Sequence, residues 1–424
     1  MDRQSTTYQS YIKILEEELV PAMGCTEPIA LAYAAARCRD LLGCVPERIV
    51  VKASGSIIKN VKSVIVPNTG GQKGIPAAVT AGVIAGKAEK KLEVISETKE
   101  SQIEEMGRYL EQYEIRVEYL DEGFTFDIIV EEYAGDDEAK VRITNQHTNI
   151  VREEKNGKVL LDIPVSAESD EGLTDRSILN MNDIWDFATT CDIMDVTTLL
   201  DQQISCNMAI AEEGIRHSYG ANIGSVMLKT GNGIQNRAEA MAAAGSDARM
   251  NGCEMPVIIN SGSGNQGITC SVPVVVYAEE LGAEKEKLYR ALALSNLIAI
   301  YEKTGIGRLS AFCGAVSAGI AAGAGIAYLK GGEKKEICHT IVNGLAIVSG
   351  IVCDGAKASC AGKIAFSVHA GILGYEMYVN GQQFRDGDGL VVKGVDNTIR
   401  NIGRLGKEGM KETNEEIIRM MIGK

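Results

Sequence analysis

With 424 residues and a formal net charge of −14, the chain can bury a large core in two or three domains, and it lacks the basic surface a nucleic-acid or membrane-surface role needs. Its eleven cysteines are odd in number, too sparse for a disulfide scaffold, and include no CxxC pair, which argues against a zinc ribbon or a thioredoxin-type couple. No secretory n-region, h-region and cleavage site precedes them, so a reducing cytoplasm is the expected compartment.

In chain order, the pattern from Thr7 to Ala22 predicts an amphipathic helix ending at Pro21. Within PAMGCTEP, residues 21–28, Thr26 can cap a second helix that runs to about Leu42, with Glu27 in its first turn. Cys25 lies just before that cap. From Arg48, RIVVKASGSIIKNVKSVIVP carries β-branched runs around the turn-like ASGS, followed by the Gly-rich PNTGGQKG, 67–74, and a small-residue helix, PAAVTAGVIAGKA. Between Leu92 and about Ile163 the alternating segments EIRVEYL, FTFDIIVEEY, AKVRITNQ and GKVLLDI predict an antiparallel sheet with one wet face.

An acidic linker, SAESDEG at 166–172, leads into helical sequence that persists to the C-terminus, interrupted by NGCEMPVIINSGSGNQG. The fold class is therefore α+β. A large Ala/Gly-rich helical domain (1–45 and 166–424) is interrupted by a smaller β-rich domain (46–165). The uncharged run AFCGAVSAGIAAGAGIAY, 311–328, has the length of a membrane span, but its Ala, Gly and Ser content fits closely packed interior helices better.

Cys313 lies in SAFCGAVSAG, and Cys353 and Cys360 in CDGAKASC. On a straight helix the last two would stand two turns, about 10 Å, apart, so convergence on one cluster requires a curl that Gly355 and Ser359 permit. Three thiolates from two segments leave one iron of a [4Fe–4S] cube open for Lewis-acid work; the alternative is that all three are small buried hydrophobes. NSGSGNQG, 260–267, can present backbone N–H groups and hydroxyls as a nest for a carboxylate or phosphate, and it matches neither the dinucleotide nor the P-loop pattern. PNTGGQKG and ASGS add donors or are ordinary turns.

His147, His339 and His369 suit surface or satisfied core positions, whereas His217, beside small polar residues, is placed to approach a site. Lys303, Lys357 and Lys363 read as solvated or carboxylate-pairing, and no lysine is marked for pyridoxal phosphate. Cys38, Cys44, Cys191, Cys206, Cys253, Cys270 and Cys338 read as structural. At its helix mouth Cys25 should be held as thiolate by the helix dipole, ready to serve as ligand, nucleophile or general base.

Together PAMGCTEP, NSGSGNQG, FCGAVSAG and CDGAKASC resemble the L-cysteine desulfidase family, related to the α domain of iron–sulfur L-serine dehydratases, over about residues 10 to 420. The resemblance implies an oxygen-sensitive [4Fe–4S] enzyme, independent of pyridoxal phosphate, that converts L-cysteine and water into pyruvate, ammonia and hydrogen sulfide. It makes Cys313, Cys353 and Cys360 the cluster ligands, carried by the helical domain, and Cys25 the proton acceptor. Nest chemistry adds Ser261, Gly262, Ser263, Gly264 and Asn265 as holders of the substrate carboxylate. Cys25 can also occupy the open iron at rest. The partners expected are a small amino-acid substrate and a second copy in a homodimer, with no nucleic acid or membrane. Three alternatives stand beside this: L-serine dehydration by the same elimination, an iron–sulfur sensor without turnover, and a carboxylate-binding protein whose cysteines are core.

Overall fold

The computed structural model describes residues 1–120, 124–165, 173–307 and 309–422; the acidic linker expected at 166–172 lies outside these. Helix α1 (Thr6–Glu18) starts at Ser5, whose hydroxyl accepts the Tyr8 N–H at 3.2 Å. It stops before the predicted end, because a residue preceding proline is driven to extended backbone, and Pro21–Met23 forms a short strand, β1. Helix α2 (Thr26–Leu42) ends as expected, at Gly43, but its N-cap residue is Cys25 and not Thr26.

After β2 (Arg48–Ser54) the chain turns into α3 (Gly55–Val61) where a turn and further β-branched strand sequence was expected. Ile57 and Val61, four residues apart, fall on one helical face and are fully buried, which favours the helix over local β-propensity. Helices α4 (Gly74–Ala85) and α5 (Glu100–Gln112) follow; α5 falls in the stretch read as strand-rich, with Met106 and Tyr109 buried one turn apart. The strands β3 (Glu114–Leu120), β4 (Asp127–Ala134), β5 (Asp137–Thr144), β6 (Ile150–Lys155) and β7 (Lys158–Asp162) complete this part.

The sheet order is β3-β2-β4-β5-β6-β7. Every pairing is antiparallel except β2–β3, whose parallel register needs the crossover that α3 to α5 supply. Edge strand β3 keeps Val117 and Tyr119 exposed, whereas Ile128 and Val130 of β4 are fully buried; α2 packs against β4 and β5.

The remaining elements are α6 (Met181–Thr190), α7 (Met194–Arg216), α8 (Ile223–Thr230), α9 (Ile234–Met250), β8 (Pro256–Ile258), α10 (Gly264–Glu280), α11 (Lys285–Ile306), α12 (Gly314–Leu329), α13 (Lys334–Val348), α14 (Cys360–Val379), α15 (Val395–Arg404) and α16 (Lys411–Ile422). The α+β class is as expected, with helices dominant. The uncharged run is α12, which packs on α10, α11, α13 and α14. Its backbone touches that of α14: a Cβ at Gly319 would lie 2.4 Å from the Ser367 carbonyl carbon, and one at Gly323 2.4 Å from that of Gly371. Among the described residues no helix is long and apolar enough to cross a membrane.

Two backbone ties join motifs far apart in sequence. Strand β1 pairs antiparallel with β8, Pro21 opposite Ile258 and Met23 opposite Pro256, which sets Cys25 beside the 260–267 loop. A second bridge joins Phe312 to Val352.

Candidate functional site

Gly24 has φ of +60°, and a Cβ there would meet Pro67 Cγ at 2.3 Å, so the turn that presents Cys25 requires glycine. Cys25 then caps α2 and is 2 % exposed. Its thiol donates to Glu27 Oε2 at 3.1 Å, and Asn60 Nδ2 donates to Glu27 Oε1 at 2.8 Å. The Thr26 hydroxyl donates to the Gly262 carbonyl at 3.0 Å, fastening α2 to the glycine-rich loop.

The thiolate expected at this helix mouth is not what the surroundings favour. Burial, then the Glu27 charge, push the Cys25 thiol well above its usual range and outweigh the opposing charge of Arg249. Burial also pushes the Glu27 carboxyl upward, but His147, the Cys25 thiol and the Asn60 amide together hold it below the usual carboxylate range. Both directions favour a thiol donating to a carboxylate.

Cys25 shares one cavity of about 100 Å³ with Cys313, Cys353 and Cys360; Glu27, Lys59, Asn60 and Arg249 line it as well. Cys313 is the N-cap of α12 and Cys360 the first residue of α14. The Phe312–Val352 bridge holds the segments together, with the Cys313 N–H donating to Ile351 O at 3.1 Å and the Cys353 N–H to Ala311 O at 2.6 Å. Between Cys353 and Cys360 the chain curls, with Gly355 at φ +98°. Burial pushes the Cys313 thiol up to about 12, helped by Cys353 and Cys360, and also raises Cys360.

Among the described residues no three His, Cys, Asp or Glu side chains stand close enough to hold a single metal ion. Thiolates that each bind a different iron of a cube stand farther apart than the ligands of one ion. Three thiols around one cavity, two of them at the starts of α12 and α14, are the donor type an iron–sulfur cluster takes.

Of the five nest residues, Ser263 and Asn265 line the cavity. Ser261, Gly262 and Gly264 shape the turn: Asn260 and Ser263 exchange backbone hydrogen bonds of 3.1 and 3.0 Å across it, and the Ser261 hydroxyl donates to Asn260 Oδ1 at 2.9 Å. His217 is half exposed or more and paired with Glu213 at 2.9 Å, outside the cavity lining. His369 contacts Glu239, and His339 stacks on Tyr378. His147 is buried edge-on to Phe126, and its charge acts on Glu27. Lys357 and Lys363 pair with Asp354 as expected, while Lys303 is buried and lines the cavity. The other seven cysteines lie outside the cavity lining.

Sequence reasoning missed Lys59, Asn60, Arg249 and Gln266, and read Glu27 as a helix-start residue alone. Lys59 and Asn60 come from α3, the helix that the β-branched texture concealed; Lys59 donates to Cys353 O at 3.2 Å and Asn414 Oδ1 at 2.7 Å, and burial pushes its ammonium below the usual lysine range. Arg249 left one signal, a cation shortly after the small-residue run AAAGS of α9.

Residues 89–419 match the family model described as serine dehydratase alpha chain. A UPF0597 protein of Desulfitobacterium hafniense is 58% identical over 423 residues, covering 100% of this chain and 98% of its own. UPF0597 proteins of Lachnoclostridium phytofermentans, at 50% identity over 98% of this chain and 100% of its own, and of Treponema denticola, at 46% over 100% of both, are similar throughout.

Proposed function

The chain belongs to the serine dehydratase alpha chain family, and on that premise we propose that it is a β-eliminating lyase: an L-cysteine desulfidase that forms pyruvate, ammonia and hydrogen sulfide with a [4Fe–4S] cluster. The observation that carries this reading is the convergence of Cys25 with Cys313, Cys353 and Cys360 on a single cavity. Cys313, Cys353 and Cys360 would hold the cluster, which when bound would supply Lewis-acid help to the leaving group.

The chain's own part is proton transfer and orientation. Glu27 accepts the Cys25 hydrogen bond and holds that thiol in the cavity, while the positive charge of Arg249 favours its thiolate form. As thiolate, Cys25 takes the α-proton of the substrate. Asn60 keeps Glu27 oriented, and the near-complete burial of Cys25 excludes bulk water from the proton path. Loss of hydrosulfide leaves an enamine, which water converts to pyruvate and ammonia after release. In this reading Ser263 and Asn265, the nest residues that line the cavity, contact the substrate.

The family description favours a second reading, in which L-serine loses hydroxide by the same route. Anaerobically reconstituted protein should release pyruvate from L-cysteine with higher kcat/KM than from L-serine. The reverse order makes it a serine dehydratase, and no pyruvate from either amino acid overturns both.

A further inference from the structure

Arg249, the penultimate residue of α9, is 2 % exposed and lines the cavity. Its Nη1 donates to Asn265 Oδ1 at 3.0 Å, its Nε has no hydrogen-bond partner, and among the described residues no carboxylate forms an ion pair with it. Glu27, whose charge reaches it, spends its oxygens on Cys25, Thr26 and Asn60. A guanidinium buried with donors unspent is costly unless an anion completes it.

The guanidinium lies against the start of α10. A Cβ on Gly264 would stand 2.3 Å from Arg249 Nε and 2.7 Å from its Cζ, so glycine at this position is what admits the arginine to the helix end. There Gly264, Asn265 and Gln266 form the first turn, whose N–H groups have no carbonyl partner within the helix, and Ser263 adds no side-chain cap. A planar donor fork and a helix N-terminus meet at one point, and both suit a carboxylate.

We propose that Arg249 and the first turn of α10 bind the α-carboxylate of the amino-acid substrate, fixing its α-carbon beside Cys25 and rejecting amide and decarboxylated analogues. The proposal rests on the lyase reading for the identity of that substrate. Of the five residues read as the carboxylate nest it keeps Gly264 and Asn265 and drops the turn before them, where Ser263 N–H is already spent on Asn260.

The test is calorimetric titration of anaerobically reconstituted full-length protein with L-alanine, which has no leaving group, and with L-alaninamide. L-Alanine should bind about tenfold or more tightly than the amide. Arg249→Lys, which keeps the charge but loses the fork, should weaken L-alanine about tenfold, and Arg249→Gln about a hundredfold. In turnover, Arg249→Lys should raise KM far more than it lowers kcat. Equal affinity of wild-type protein for the two ligands, no heat from either, or a folded Arg249→Gln that binds L-alanine as wild type overturns the proposal. The wild-type comparison decides the matter even if Arg249→Gln does not fold. These titrations need no turnover, so absence of pyruvate defeats the lyase reading without touching them. Unchanged KM in Arg249→Gln with full pyruvate formation defeats the carboxylate site alone.

Discussion

Replacing Gly319 with alanine tests the link between helix packing and the cysteine cavity. The new Cβ would lie 2.4 Å from the Ser367 carbonyl carbon, 2.6 Å from its Cβ and 2.7 Å from its oxygen, where ordinary contact begins at 3.4 Å. Two of those atoms are backbone, so no side chain can rotate away and α12 must part from α14 by about 1 Å. Overpacking of this kind costs about 1–3 kcal/mol, and rigid partners place Gly319→Ala at the upper end. The cysteines share the strain, because Cys313 caps α12 and Cys360 begins α14. Urea unfolding should show a lower midpoint with unchanged slope, and iron and sulfide per chain after anaerobic reconstitution should fall with it. Gly362→Ala in α14, where nothing lies within 4 Å, should instead stabilise by about 0.5–1 kcal/mol through helix propensity. A Gly319→Ala protein with wild-type midpoint and wild-type iron content would refute the packing account.

Other expectations follow from single contacts. Arg176 is buried between Glu17 and Glu18, the latter at 2.9 Å and 5 % exposed, so Arg176→Ala should cost about 3–5 kcal/mol in urea unfolding by removing one side of a buried ion pair. Burial pushes the Asp247 carboxyl from 3.8 up to about 6 against the N–H groups of Gly224 and Ile223. The folded chain thus holds this proton more tightly than the unfolded one. The contribution is full below about pH 4, is lost as pH rises to about 6, and is flat above. Asp247→Asn should remove that decline, and parallel pH–stability curves for variant and wild type would count against it. Cys353→Ala should fold with near-wild-type circular dichroism yet retain little iron after reconstitution; full iron retention would remove Cys353 from the ligand set.

What the sequence disclosed and what it hid follow from range of interaction. Helix α2, the strands β3, β4, β5 and β7, and the buried Ala/Gly helix α12 are written in local periodicity and small-residue texture, and all are present. Strand β1 was hidden because three residues carry no period; its partner β8 lies more than two hundred residues away. Helix α3 was hidden because Ile57, Ile58 and Val61 satisfy a strand's composition as well as a helix's face. The cysteines and the glycine-rich loop stood out by type. Their partners did not, since Glu27, Lys59 and Arg249 become site residues only through burial around a shared cavity. The same burial reverses the Cys25 expectation: helix position favours thiolate, but desolvation and Glu27, neither visible from neighbouring letters, outweigh it.

The central claim is that Cys25 is a base and not a structural ligand, and Cys25→Ser tests it most directly when cluster content and turnover are measured on one anaerobic preparation. The account predicts wild-type iron and sulfide per chain with pyruvate formation from L-cysteine reduced about 10²- to 10⁴-fold, the usual contribution of a positioned proton acceptor. A Cys25→Ser protein with a full cluster and wild-type turnover would contradict it.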